Sequence, residues 1–230
     1  MTNKIIKFNN RLYKFNIRDR ADESVVAEIF VNHDYKLADK VIASAQNAIL
    51  DVGAHFGAFA VYCRALNPKV PIYCFEPEKE NFKAFKNTAK INHFKNIIIN
   101  NSAIGTKDGM AELKLSVDTH NHSLLINPEN INPETPTQKV NVSTLDHVIK
   151  KYELTKIDLL KLDCEGAEFA IIKNLDKETF TKINNIIMEY HDFDNNRHND
   201  LKNILISRGY KVEDYPSHFQ DNLGFLWCQR

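Results

Sequence analysis

The sequence predicts an α/β protein built on a doubly wound, mostly parallel sheet. Short and nearly continuous apolar runs alternate with amphipathic stretches, a pattern typical of parallel strands covered by helices on both faces. A glycine-containing turn follows the first run, and the last two runs lie close together, which predicts an antiparallel end to the sheet. The predicted strands are residues 48–52, 71–75, 96–100, 157–162 and 185–190, with further short runs at 210–212 and 224–228.

A small unit precedes the first of these strands. Residues 5–17 alternate weakly around Asn9 and Asn10, which predicts a hairpin turned by that pair. Asp22 is the predicted N-cap of a following helix at residues 23–31. We therefore expect an N-terminal lid at residues 1–45 and a main domain at 46–230.

Helices and one insertion complete the main domain. Residues 57–66 are apolar on almost every side, which predicts a helix buried against the sheet, and residues 78–92 carry phenylalanines on one face and lysines on the other. A last helix is predicted at 200–208. Period-two alternation within residues 110–143 predicts an inserted strand pair with a proline-rich surface loop. The histidine-containing segment at 120–123 receives no role.

Composition and charge exclude several classes of protein. The chain has 230 residues, of which 43% are hydrophobic and 26% charged, so it is neither disordered nor fibrous. Lys+Arg and Asp+Glu both number 30, and a net charge of +0 argues against nucleic acid or anionic lipid as a main partner. The four cysteines form no C-x-x-C pair, which favours a reduced, cytoplasmic setting. No apolar run predicts a membrane span.

The strongest functional signal is the sequence ILDVGAHFGAF at residues 49–59. Asp51 lies near the end of the first strand, and Gly53 and Gly57 bound the turn that follows. Ligands of open α/β sheets bind at the carboxyl ends of strands, where glycines let the backbone approach them closely. His55 stands where the dinucleotide fingerprint has its second glycine, so a pyrophosphate would meet a side chain. This pattern indicates a nucleotide-type site without a pyrophosphate.

A second carboxylate fits the same kind of ligand. Glu76 follows the second strand, where an acid commonly accepts both ribose hydroxyls. Adenosine is therefore implied. An adenosine ligand that lacks a pyrophosphate and carries ammonium and sulfonium charges near Asp51 matches S-adenosylmethionine.

Four segments together resemble the FkbM family of S-adenosylmethionine-dependent methyltransferases. They are LDVGAHFG at 50–57, CFEPEKENF at 74–82, VSTLDHVI at 142–149 and LLKLDCEGAE at 159–168. The ordered set is more specific than the glycine loop alone, and the resemblance spans about residues 48–190. It implies a Rossmann-like, seven-stranded sheet with a reversed last strand, and methylation of hydroxyl oxygens on sugars, glycans or natural products.

The resemblance also implies where the cofactor binds. Asp163 would lie at the mouth of the fourth strand beside the reactive methyl group, with Glu165 close by. The full set of implied cofactor contacts is Asp51, Gly53, Ala54, His55, Gly57, Glu76, Asn101, Ser102 and Asp163.

Methyl transfer to a hydroxyl requires alignment of the acceptor oxygen and removal of its proton, by a base or with a metal ion. Candidates at the ends of the fourth and fifth strands are Asp163, Glu165, Glu189 and His191. Asp163 and His191 rank first, and the sequence does not choose between them. No metal ion is assigned, although the His- and Asp-rich segment 191–198 has a composition that suits one.

Other functions stay open at this stage. A cofactor-binding regulatory module without catalysis is the main alternative, and the intact Asp163, Glu165 and His191 weigh against it. An RNA methyltransferase and an NAD-dependent oxidoreductase are less favoured, the latter because of His55. We expect a small-molecule or glycan substrate, and association into a homo-oligomer stays open.

Overall fold

A seven-stranded sheet is the centre of the computed structural model, which describes residues 2–115, 123–124, 136–192, 197–217 and 220–230. In chain order the strands are β1 (Thr2–Phe8), β2 (Arg11–Ile17), β3 (Ile49–Val52), β4 (Ile72–Phe75), β5 (Ile97–Asn100), β6 (Ala103–Ile104), β7 (Gly109–Lys114), β8 (Ser123–Leu124), β9 (Thr137–Ser143), β10 (Leu159–Leu162), β11 (Asn185–His191), β12 (Lys211–Pro216) and β13 (Leu223–Gln229).

Eight α-helices lie between these strands in the described part of the chain. They are α1 (Arg20–Ala27), α2 (Asp39–Ser44), α3 (Ala58–Leu66), α4 (Lys79–Ile91), α5 (Leu145–Lys151), α6 (Glu168–Asn174), α7 (Lys177–Lys182) and α8 (His198–Ser207). A π-helical turn, Glu28–Asn32, and a 3-10 turn, Lys36–Ala38, follow α1. Within the described ranges, no helix combines the length and the apolar character needed to cross a membrane.

The strand order of the central sheet is β12-β13-β11-β10-β3-β4-β5. β13 runs antiparallel to both of its neighbours, and the pairs from β11 to β5 are parallel. This confirms the expected seven-stranded sheet with a reversed last strand. The five predicted central strands are all present, and their ends differ from the prediction by at most two residues.

Both faces of the sheet are buried, which explains the unbroken apolar runs. Leu50 and Val52 of β3 point into one hydrophobic cluster, which also contains residues of α5, α6, α7 and α8. Ile49 points into a second cluster on the other face, with α3 and residues from the N-terminal segment. Because successive side chains of a strand point to opposite faces, a strand covered on both sides shows no polar alternation.

The N-terminal hairpin is present, with Asn9 and Asn10 in the left-handed conformation that a two-residue turn of this kind requires. The predicted helix cap is wrong. Asp19 caps α1 by accepting a hydrogen bond from the backbone of Asp22, so the helix begins at Arg20. Asp22 instead lies in the first turn, where its buried carboxylate pairs with Arg18.

The inserted strand pair is confirmed, since β7 and β9 pair antiparallel over six residues. β6 and β8 extend it to a four-stranded sheet in the order β6-β9-β7-β8. Most of the proline-rich loop and residues 120–122 of the histidine-containing segment lie outside the described residues.

Candidate active site

One cavity of about 450 Å³ opens at the carboxyl ends of β3, β4, β10 and β11. Residues of the N-terminal segment, among them Glu28 and Tyr35, form part of its wall. The cavity brings together eight of the predicted site residues: Gly53, Ala54, His55, Glu76, Asp163, Glu165, Glu189 and His191.

The two glycines of the turn after β3 are required for different reasons. Gly53 has a φ of 77°, and a Cβ there would overlap the carbonyl oxygen of Asp163. The missing side chain therefore lets the turn touch the loop after β10. Gly57 has a φ of 91°, and a Cβ there would overlap the ring of Phe85 in α4. Gly57 thus serves helix packing and is not among the residues that line the cavity.

Glu76 is buried at the wall of the cavity, directly after β4. Its two oxygens accept hydrogen bonds from the backbone amides of His55 and Glu78, each at 2.8 Å. Burial raises the pKa of Glu76 to about 7, although these two amides act in the opposite direction. Each carboxylate oxygen offers two acceptor positions, and the side chain of Asn81 also hydrogen-bonds to this carboxyl group, so one of the four positions stays open.

The residues after β5 support this wall from outside. Asn101 donates hydrogen bonds to the backbone oxygens of Glu76 and Pro77, both at 2.9 Å. Ser102 is buried, and neither residue is among those that line the cavity. Their role as cofactor contacts therefore stays a prediction.

A buried ammonium group forms part of the cavity wall. Lys161 in β10 is 3.2 Å from a carboxylate oxygen of Asp51 and 3.3 Å from one of Asp163, and it donates a hydrogen bond to the backbone oxygen of Gly53 at 2.8 Å. Burial alone would lower the pKa of Lys161, but the two carboxylates raise it above its usual value. Asp51 does not line the cavity, so the structure places it below the floor.

Asp163 is held in its ionised form. Burial acts to raise the pKa of Asp163, but the positive charge of Lys161, the nearby imidazole of His191, and hydrogen bonds from Lys161 and Tyr35 lower it below the usual value. The Tyr35 hydroxyl donates at 3.3 Å. The sequence patterns predict no role for Tyr35 or Lys161, and the one signal they offer is a lysine within the apolar run LLKL.

Two further carboxyl groups share this end of the cavity. Burial, with the nearby charges of Asp163 and Glu168, raises the pKa of Glu165 to about 8. Burial, with the charges of Asp163 and Glu165, raises the pKa of Glu189 to about 9. The imidazole Nε2 of His191 lies 3.3 Å from a carboxyl oxygen of Glu165. This end of the cavity is therefore suited to binding positive charge and to moving a proton.

The loop after β10 is held in shape by a buried residue that the sequence analysis did not single out. Glu168 accepts hydrogen bonds from the backbone amides of Cys164 and Gly166, at 2.6 Å and 2.8 Å. The other ring nitrogen of His191, Nδ1, lies 3.8 Å from the Glu168 carboxylate. Glu168 thus fixes the backbone that presents Glu165 and helps to orient His191.

One group of side chains could hold a metal ion. Asp163, Glu189 and His191 each present a ligand atom, and these atoms lie within 4.8 Å of one another. Two carboxylates and an imidazole are a donor set found around divalent cations. In the His- and Asp-rich segment after β11, by contrast, His198 pairs with Asp192 at 2.8 Å, and residues 193–196 lie outside the described residues.

Comparison with known proteins identifies the family. The family described as Methyltransferase FkbM domain matches residues 51–212. The chain belongs to the FkbM family of methyltransferases. The match covers the glycine turn, Glu76 and the whole acidic end of the cavity, so the cavity lies in the part of the chain that defines the family.

Two relatives and one solved structure illustrate the similarity. Methyltransferase 1 of Beauveria bassiana (strain ARSEF 2860) is 25% identical over 206 residues, which are 83% of this chain and 81% of that protein. The 31-O-demethyl-FK506 methyltransferase FkbM of Streptomyces tacrolimicus is 23% identical over 193 residues, 73% of this chain and 74% of that protein. An rRNA methylase from Streptococcus thermophilus has a TM-score of 0.52 at 9% identity, over 86% of this chain and 96% of that chain, and shows the shared Rossmann-like fold.

The contact between the glycine turn and the loop after β10 can be tested by adding one methyl group. Gly53→Ala should destabilise the protein strongly, because its Cβ overlaps a backbone oxygen. Gly209→Ala is the matched control, since Gly209 has a similar φ of 89° and no other heavy atom closer than 4.0 Å to the added Cβ. In urea unfolding, we expect the control to lose about 1–2 kcal/mol of unfolding free energy. Gly53→Ala should lose about 2–3 kcal/mol more. Equal losses would contradict the close contact.

The raised pKa of Glu189 predicts how stability depends on pH. The pKa of this group is about 9 in the folded protein against an ordinary value of 4.5, so folding takes up a proton between these values. The stability contributed by the neutral carboxyl is therefore lost as the pH rises toward 9. Glu189→Gln cannot ionise, so its free energy of unfolding at pH 9 in EDTA should exceed that of the wild type by about 1–3 kcal/mol. At pH 5 the difference between the two proteins should be smaller. The exposed Glu112→Gln is the control, and parallel curves for wild type and Glu189→Gln would refute the prediction.

Proposed function

We propose that the protein transfers a methyl group from S-adenosylmethionine to a hydroxyl oxygen of a small molecule, such as a sugar, a glycan unit or a natural product. One observation carries this proposal. A single cavity is lined by the glycine turn and Glu76 and also by the acidic group Asp163, Glu165, Glu189 and His191. The name of the Streptomyces tacrolimicus relative gives a 31-O-demethyl compound as its methyl acceptor, which supports an oxygen acceptor here.

The residues of the cavity fit the proposed cofactor. Glu76 can accept a ribose hydroxyl, because one of its four acceptor positions stays open after the two backbone amides and the side chain of Asn81 are bound. Asp163 and Glu165 can face the ammonium and sulfonium charges, and Asp163 is already ionised. The cavity volume of about 450 Å³ lies in the range of roughly 300–1,000 Å³ that is usual for small-ligand sites.

When bound, S-adenosylmethionine supplies an electrophilic methyl group, and the side chains of this protein align and deprotonate the acceptor. We assign the role of proton acceptor for the substrate hydroxyl to Nε2 of His191, because the lowered pKa of Asp163 makes that carboxylate a weak base. A carboxyl oxygen of Glu165 lies 3.3 Å from Nε2, where it can accept the Nε2–H once the ring has taken the hydroxyl proton. A carboxyl oxygen of Glu168 lies 3.8 Å from Nδ1, where its charge stabilises the imidazolium electrostatically.

Substitution of Glu76 tests the cofactor assignment. Glu76→Gln keeps one acceptor oxygen but loses the charge, so the affinity for S-adenosylmethionine and S-adenosylhomocysteine should fall at least tenfold by calorimetry, an effect of about 1.5–3 kcal/mol. Glu80→Gln is the control, since Glu80 is exposed in the first turn of α4 and pairs with Lys83. Unchanged affinity would contradict the assigned contact between Glu76 and the ribose. NADH binding tighter than S-adenosylhomocysteine would favour an oxidoreductase instead.

Substitution of His191 tests the chemistry. With labelled S-adenosylmethionine and a panel of sugars, glycolipids and polyketide alcohols, His191→Asn should lower kcat by about 10²–10⁴ and leave cofactor affinity unchanged. His147→Asn is the control, because His147 is an exposed residue of α5 that pairs with Asp108.

Other outcomes of the same assay would redirect the proposal. Loss of turnover in EDTA, restored by Mg²⁺, would move proton removal from a base to a metal ion on Asp163, Glu189 and His191. Transfer to RNA but to no small acceptor would indicate an RNA methyltransferase. Tight cofactor binding without transfer to any acceptor would indicate a regulatory module.

A further inference from the structure

A second cavity, of about 520 Å³, lies where the parallel strands of the central sheet begin, at the end opposite to the candidate active site. Its walls come from the N-terminal hairpin, the end of α3 and the segment between α4 and β5. Because these connections meet β4 and β5 at their amino ends, this cavity is separate from the candidate active site. We call it the basic cleft and define it by Arg11, Tyr13, Lys14, Arg64, Phe94 and Lys95.

Positive charge is concentrated in the basic cleft. Four cationic side chains line it, and no carboxylate does. None of the four belongs to an ion pair in the described part of the chain. Since the net charge of the whole protein is +0, this is a local excess that no acidic side chain offsets.

The base of the cleft contains a buried cation with neutral partners only. Arg64 is 5% exposed, and it donates hydrogen bonds to the backbone oxygens of Asn67 and Asn96. Burying a charge without an opposite charge is costly. An anion bound in the cleft would offset this cost, because electrostatic attraction is stronger where protein excludes water.

The cleft also has an apolar surface and fixed walls. The rings of Tyr13 and Phe94 lie 6.3 Å apart, and both residues line the cleft. Asn92 accepts a hydrogen bond from the backbone amide of Lys14 and donates one to its backbone oxygen, each at 2.8 Å. These bonds hold β2 against the end of α4, so the cleft is formed before any ligand arrives.

We infer that the basic cleft binds a small organic phosphate, a dianion joined to an aromatic or apolar group. Two guanidinium and two ammonium groups suit a phosphate, and the rings of Tyr13 and Phe94 suit the apolar part of the ligand. A small molecule fits better than a nucleic acid strand, because these four cations line a cavity of ligand size in a protein of zero net charge.

Calorimetry with phenyl phosphate tests the inference. The full-length protein at low salt should bind it saturably, and Arg11→Ala combined with Lys95→Ala should weaken binding at least tenfold. Both residues are exposed, so this double variant should fold normally. The charge-matched control combines Lys40→Ala with Lys107→Ala, two exposed lysines outside the cleft, and should bind like the wild type. Saturating S-adenosylhomocysteine and the substitution Glu76→Gln should leave phenyl phosphate binding unchanged, because the cleft lies away from the active site.

Several results would overturn the inference. They are the absence of saturable binding, equal weakening in the control variant, equal affinity for uncharged benzyl alcohol, and displacement by S-adenosylhomocysteine. Binding of a single-stranded RNA oligonucleotide that depends on Arg11 and Lys95, without binding of phenyl phosphate, would assign the surface to a polyanion instead.

Discussion

The buried ammonium group of Lys161 joins the parts of the active site that come from different strands. Lys161 lies beside Asp51 in the register of β10 and β3, and it also contacts the Gly53 carbonyl and the Asp163 carboxylate. Removing this cation would leave the buried carboxylate of Asp51 without its counter-charge, a cost of several kcal/mol. Lys161 therefore ties the glycine turn to the loop after β10, in addition to the direct packing of Gly53 against Asp163.

Side chains from before β3 complete the same site. Tyr35 donates a hydrogen bond to Asp163, while Arg18 binds Asp22 with two nitrogens and lies 3.4 Å from Nε2 of His55. The N-terminal segment also contributes to the hydrophobic cluster that covers one face of the sheet. Its contacts thus reach both ends of the cavity, the turn at His55 and the acidic end at Asp163.

The sequence predicted the elements whose pattern is local and missed the contacts that join distant segments. Strands buried on both faces are visible as apolar runs, and eight of the candidate site residues at the strand ends line one cavity. Helices α5, α6 and α7 have six or seven residues, too few to show a clear period. The cap of α1 was misplaced because Asp19 and Asp22 are the same residue type, and only the folded backbone shows which carboxylate faces a free amide. Asp51, one partner of Lys161, lies about 110 positions away in the chain, and Asp163, the partner of Tyr35, lies about 130 positions from it. One sequence carries no contact signal over such distances.

The zero net charge conceals a separation of charge across the sheet. Carboxyl groups collect at the carboxyl edge, around the cavity, and cations collect at the amino edge, in the basic cleft. With a pKa of about 8 for Glu165 and about 9 for Glu189, both groups are largely protonated at neutral pH when no cation is near. A ligand that brings positive charge stabilises the ionised forms and lowers both pKa values, so its binding releases protons. On the proposed function, a methyl donor with sulfonium and ammonium charges therefore favours the ionised forms of Glu165 and Glu189 when it binds. These carboxylates then lie around the group that must accept the hydroxyl proton.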